Sequence, residues 1–238
     1  MTQMGLFFEL KYHYDIYMDY KIELFQELVE LYSKNGFQLY MVGGSVRDYL
    51  LNLPLNDMDL VTDATPELEK SFLEHADYTF AKFGSIKLLY KGVKFDITTL
   101  RKENGYSDSR HPGNIQFTNK LDVDVLRRDI TINALYLTKD LKVIDFVNGV
   151  DDLSNQTIRM IGDPLLRIKE DPLRIVRIYR FKYDLGFKIE PNLKQIIAEN
   201  YSLLSNINPE KIKEEIKKCS HKEELIGFLS SRSIFFKQ

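Results

Sequence analysis

The stretch Tyr40-Met41-Val42-Gly43-Gly44-Ser45-Val46-Arg47-Asp48, followed shortly by Asp57-Met58-Asp59, decides how this chain is read. An apolar run ends in two glycines, and two carboxylates then appear one residue apart. In an extended strand side chains alternate, so Asp57 and Asp59 are expected on one face. Glycines let backbone N–H groups approach a triphosphate, and convergent carboxylates suit divalent metal. Together they are the parts of metal-dependent nucleotidyl transfer. Arg47, in the first turn of a helix expected from Ser45 to Leu51, has a guanidinium suited to a phosphate oxygen. Its structural alternative is a pair with Asp48 or Asp57.

Two metal ions need several hard oxygen ligands. Asp96, in the apolar strand pattern Val93 to Thr99, is the natural third acid, with a role in orienting or deprotonating an attacking hydroxyl. The alternative is an ion pair with Arg101 or Lys94 at a sheet edge. Further on, Asp124 to Ala134 reads as Asp-Val-Leu-Arg-Arg-Asp-Ile-Thr-Ile-Asn-Ala. A helix is expected over 125–136, which puts Asp129 and Asn133 on one face and offers Arg127 and Arg128 to phosphate or ribose. In Glu170-Asp171-Pro172-Leu173-Arg174, Asp171 and Arg174 are expected to project together from a helix face. A carboxylate beside a guanidinium matches the amino group and adjacent ring nitrogen of cytosine or adenine. Guanine and uracil present the reverse polarity, and a buried mismatch leaves polar groups unpaired. Without the other elements, this pair reads as an ordinary intrahelical salt bridge.

Around these elements the pattern is mixed. A helix is expected from about Tyr17 to Lys34, stopped by Asn35-Gly36. Strands follow over 37–42 and 57–61, then a capped helix start at Thr65-Pro66-Glu67-Leu68-Glu69. Short strands are expected over 79–82, 86–90, 93–99 and 143–146, with a loop from Asn104 to Asn114. From Pro164 the pattern is helical, with breaks near Gly186, Pro191 and Pro209. The fold class is therefore α+β, a head over residues 1–150 (1–19 an N-terminal extension) and a helical segment over 151–238.

Bulk properties exclude several classes. The 238 residues carry a formal net charge of −2, so RNA binding has to come from local basic patches. Cys219 is the single cysteine, and the four histidines are scattered without ligand spacing. A disulfide framework and a thiolate zinc site are excluded within one chain, which fits a reducing, cytoplasmic setting. No apolar run is long enough for a membrane span.

Together the four elements resemble the class II tRNA nucleotidyltransferases, the CCA-adding enzymes, and the bacterial poly(A) polymerases. Both belong to the DNA polymerase beta superfamily. The resemblance covers roughly Phe37 to Phe187. It implies a polymerase-beta-like head with a mixed sheet, followed by an all-α neck, in a member shorter than its family. It implies two Mg²⁺ ions at Asp57 and Asp59, with Asp96 as the third catalytic acid. Nucleotide binding falls to Gly43, Gly44, Arg47, Arg128, Asn133, Asp171, Arg174 and Arg177. CTP and ATP are the implied substrates and the tRNA 3′ end the acceptor. Gly105 to Pro112, with Arg110 and His111, sits where the family's flexible loop lies, and its presence argues against a CC-adding specialist. In the neck, Glu210-Lys211 stands where a Glu-Arg pair is usual. The Lys-rich segment from Lys211 to Lys222 reads either as a tRNA grip or as a solvated helix face. Sister activities are A addition, CC addition and poly(A) synthesis; a non-catalytic RNA-binding module is the rival of another class.

Overall fold

The computed structural model describes residues 3–106 and 112–231, with side chains over 18–103 and 115–231. Arg110 and His111 lie outside the described residues. The chain falls into two compact units. Unit 1 comprises Met1–Lys102, Gln116–Asp124 and Leu135–Phe146; unit 2 comprises Glu103–Ile115, Val125–Ala134 and Val147–Gln238.

Unit 1 opens with helix α1 (Gln3–Lys34), which starts well before the expected Tyr17. Ile22, Phe25, Leu28 and Tyr32 recur at helical spacing and are buried. Each contributes about 2 kcal/mol of apolar burial. Gly36, at φ +85°, ends the helix in a conformation that only glycine adopts without strain. Strand β1 (Leu39–Val42), helix α2 (Gly44–Leu50), strand β2 (Met58–Thr62) and the single turn α3 (Pro66–Glu69) follow. Then come β3 (Ser85–Tyr90) and β4 (Val93–Thr99). Strands β5 (Arg101–Tyr106) and β6 (Pro112–Phe117), which pair in a two-stranded sheet, belong mostly to unit 2; unit 1 resumes with α4 (Leu121–Asp124), β7 (Tyr136–Leu137) and β8 (Val143–Ile144).

The main sheet has the order β3-β4-β2-β1-β7-β8. Only β2 and β4 run parallel; the other neighbours are antiparallel. This is the mixed sheet with flanking helices that the sequence implied. Helix α1 is strapped to the sheet ends by Glu27–Lys91 at 2.6 Å and Glu30–Lys139 at 2.7 Å.

Unit 2 is mainly helical: α5 (Gly149–Ser154), α6 (Pro164–Glu170), α7 (Leu173–Leu185), α8 (Pro191–Asn200), α9 (Pro209–Lys218) and α10 (Lys222–Ser230). A short parallel pair, β9 (Thr157–Ile158) and β10 (Lys188–Ile189), interrupts the helices. The expected breaks are realised: Gly186 is left-handed at the end of α7, and Pro191 and Pro209 open α8 and α9. Asp163 caps α6 by accepting from the Leu166 N–H at 3.0 Å.

Four local expectations are corrected. The helix over 125–136 does not form; two 3₁₀ turns, Val125–Arg127 and Thr131–Asn133, replace it. The β-branched run Ile130-Thr131-Ile132 resists helix, and non-local bonds compete for it. Ile130 bridges Met160, the Thr131 N–H donates to the Arg159 carbonyl, and the Thr131 hydroxyl donates to Asp152 at 2.7 Å. The strand over 79–82 is instead a 3₁₀ turn, Ala81–Phe83, closed by left-handed Gly84. The loop over 104–114 is strand at both ends, with β5 running through Tyr106 and β6 starting at Pro112; residues 107–111 lie outside the described residues. The start of α3 is not capped by a side chain: Thr65 makes no capping bond, and Glu69 is buried and accepts from the Tyr32 hydroxyl.

Candidate active site

In unit 1 the Gly-Gly turn joins β1 to α2. Gly43 has φ 73° and ψ −136°, a conformation that a Cβ would strain, and its N–H donates to the Leu135 carbonyl at 3.2 Å. Ser45 then ties the turn to the acidic strand. Its hydroxyl donates to the Asp57 carbonyl at 3.0 Å and accepts from the Asp59 N–H at 2.8 Å. Both aspartates are thus held through their backbone, and Asp57 keeps its side chain exposed.

Asp59 and Asp96 are register partners on the parallel strands β2 and β4, so their side chains share a face. Asp96 is half exposed and pairs with Lys87 at 3.7 Å, not with Arg101 or Lys94. Arg47 takes its structural alternative in this structure: Nε and Nη2 both donate to Asp48, at 2.8 and 2.7 Å. Its guanidinium also lies against Gly44, where an added Cβ would meet Nη2 at 3.5 Å. Burial raises the Asp48 pKa, the Arg47 guanidinium lowers it, and the Asp57 charge adds to the rise.

Among the described residues, no three His, Cys, Asp or Glu side chains are placed to cage a metal by themselves. Mg²⁺ does not require that, since it binds through one or two carboxylates and completes its octahedron with substrate phosphate and water. An exposed Asp57 just before β2, with Asp59 on the strand itself, fits such a donor set.

In unit 2 the sequence-predicted residues are arranged differently. Asp171 is not on a helix face with Arg174. It sits in extended backbone between α6 and α7, its carboxylate capping the Leu173 N–H at 3.1 Å. Pro172 disfavours helix at the residue before it, which explains the break. Arg174, in the first turn of α7, is buried, and its Nε donates to Asp129 at 2.8 Å. Glu170 lies 3.3 Å from Arg174 and 2.9 Å from Arg167. Arg177 reaches the other Asp129 oxygen at 2.7 Å. Burial pushes the Asp129 carboxyl up, but Arg177 and Arg174 outweigh it and hold it below the usual carboxylate range. Burial raises Asp171, only partly countered by Arg174. Arg128 and Asn133 are half-buried, and Arg167 holds the carbonyls of Arg127 and Arg128 at 2.8 and 3.1 Å. Asp129 therefore meets the arginines of α7, not Asn133 on a shared helix.

A protein-family model described as the poly A polymerase head domain matches residues 39–159, just over half of the chain. The chain belongs to that family. A CCA-adding enzyme of Lactobacillus helveticus is 44% identical over 183 residues, which are 77% of this chain and 46% of that relative. The crystal structure of the Bacillus stearothermophilus CCA-adding enzyme in complex with CTP superposes with a TM-score of 0.75 at 31% identity, over 82% of this chain and 47% of that one. A Thermotoga maritima CCA-adding enzyme in complex with tRNA gives 0.67 at 27%, over 89% and 50%. The chain spans about half the length of the curated relatives it matches.

Three side chains in this poly A polymerase head domain protein escaped the sequence reading. Ser45 was visible only as part of the turn, because its bonds cross 12 and 14 residues. Lys21 of α1 is buried and donates to the Leu55 carbonyl. Glu215 of α9 is buried and pairs with Arg180 of α7 at 3.1 Å. Lys211 and Lys213 pair with the exposed Glu214 and Glu210 one turn away, as a solvated mixed-charge face does, whereas Lys218 pairs with the buried Glu215.

Proposed function

We propose that this chain carries the nucleotidyl-transfer chemistry of a CCA-adding enzyme, adding C, C and A to the 3′ end of tRNA from CTP and ATP in the cytoplasm. The observation that carries the reading is the Ser45 clasp. It ties the backbone of Asp57, just before β2, and of Asp59, within it, to the glycine turn and the helix start, in a chain with CCA-adding relatives. Residues 1–150 serve as the head and 151–238 as neck and partial body.

Asp57 and Asp59 would hold two Mg²⁺ ions, which when bound activate the terminal 3′-hydroxyl and neutralise the departing pyrophosphate. The chain's own residues supply the rest. Gly43 and Gly44 keep side chains away from the triphosphate, and Arg47 turns a guanidinium edge to it while staying anchored on Asp48. Asp96 orients the attacking hydroxyl. In unit 2, Arg128 and Asn133 are assigned to the ribose, Asp171 and Arg174 to the base edge, and Arg177 to nucleotide binding through its hold on Asp129. Asp129 and Glu170 fix the Arg174 plane, so its donors select cytosine and adenine by fixed geometry.

The test is extension of a tRNA transcript lacking its 3′ CCA, with Mg²⁺ and CTP, ATP or both. Ordered addition of two C and one A is expected. A stop after CC, single A addition, or a long A tail from ATP alone would replace the assignment by a sister activity. Absence of both incorporation and metal-dependent CTP binding would leave an RNA-binding module.

A further inference from the structure

Lys21 is a buried charge that the reaction described above does not use. It is 6% exposed, while its neighbours Asp19, Tyr20 and Glu23 on α1 face solvent. Burying an ammonium costs several kcal/mol unless it is partnered, and methionine would fill similar space without that cost. Its Nζ donates to the carbonyl oxygen of Leu55, two residues before Asp57. Leu55 is the buried point of the segment joining α2 to β2; Asn52, Leu53, Pro54 and Asn56 are all exposed. Burial lowers the Lys21 pKa, and the nearby Asp57 carboxylate counters that.

Besides the backbone bond from the Leu53 N–H to the Asp48 carbonyl at 2.8 Å, side chains hold the segment that delivers Asp57 at two places: Ser45 at the Asp57 carbonyl and the Asp59 N–H, and Lys21 at Leu55. We propose that Lys21 is a positioning residue of the transfer site, clamping the 52–57 segment to α1 so that Asp57 is presented beside Asp59 before any cation arrives. This rests on the reading of Asp57 and Asp59 as the catalytic pair. Two converging carboxylates repel in the absence of metal, and a backbone clamp resists that splaying without occupying the Asp57 side chain.

The test uses Lys21→Met and Lys21→Gln, both neutral and of similar length, of which only glutamine donates a hydrogen bond. Amide hydrogen exchange over 52–59 is measured in metal-free protein, and kcat and KM for CTP in the tRNA extension reaction. K21M is expected to speed that exchange about tenfold and to lower kcat about tenfold, with KM for CTP within about twofold. K21Q should stay within about threefold of the parent in both. Lys21→Leu, also without a donor, takes the place of K21M should that variant not fold. Equal effects of the donor-free and donor-bearing variants, or no effect of either, would overturn the proposal. Asp57→Asn run alongside separates the two layers. Parent-like turnover in D57N would sink the catalytic pair and the clamp together, whereas an inactive D57N beside a parent-like K21M sinks only the clamp.

Discussion

In unit 1 the carboxylates of Asp57 and Asp96 face solvent, and the backbone of Asp57 and Asp59 at the start of β2 is pinned by Ser45. In unit 2 Asp129 is largely buried, with Arg174 and Arg177 each on one of its oxygens. The first arrangement leaves acceptor oxygens where a cation and a phosphate can reach them, and its charges contribute little to folding. The second makes charges part of the core, where each guanidinium is fixed by its partners before any ligand binds. Substitution in unit 1 should therefore remove function and spare stability, and substitution in unit 2 should remove stability first.

Arg174→Ala tests that contrast most severely. It leaves the buried Asp129 carboxylate with a lost partner, so denaturant unfolding should show a loss of about 3–5 kcal/mol. A neutral result would mean that the unit 2 network is not structural. The next largest effect concerns a buried carboxylate in unit 1 that is set against a hydroxyl, not an arginine. Burial pushes Glu69 up to about 7 from 4.5, with the Tyr32 hydroxyl partly offsetting it. A folded pKa above the unfolded one gives stability that is full below pH 4.5 and is lost as pH rises through about 7. The loss should be about 3 kcal/mol in urea titrations across that window, and Glu69→Gln should flatten it. Ser45→Ala removes the clasp on Asp57 and Asp59. Stability should fall by about 1 kcal/mol and nucleotide incorporation by about tenfold, with KM for CTP unchanged. Arg177→Ala should cost least, about 1 kcal/mol or below, because its side chain is 37% exposed and Arg174 remains on Asp129.

What was legible in the sequence follows the same division. The glycine turn and the strand over 93–99 are local patterns with turn chemistry beside them and stand where expected, whereas the strand expected from Asp57 starts at Met58 and leaves Asp57 just before it. The breaks at Gly186, Pro191 and Pro209 are likewise fixed by single residues. The segment from Val125 to Asn133 was misread because its conformation is set by partners far along the chain, Asp152, Arg159, Met160 and the arginines of α7. At Asp171 the local signal is Pro172, since a proline disfavours helix at the residue before it and so keeps Asp171 off a helix face shared with Arg174. Lys21 and Ser45 carried no such signal, since a side chain bonding to a distant backbone leaves no periodic trace.

The most direct test of the account is CTP incorporation by Asp57→Ala with Asp59→Ala on a tRNA transcript lacking CCA, with the unfolding free energy of the same variant measured in parallel. Incorporation is expected to fall by about a thousandfold or more while stability stays within about 0.5 kcal/mol of the parent. A variant that still incorporates CTP, or one that loses activity only because it unfolds, would contradict it.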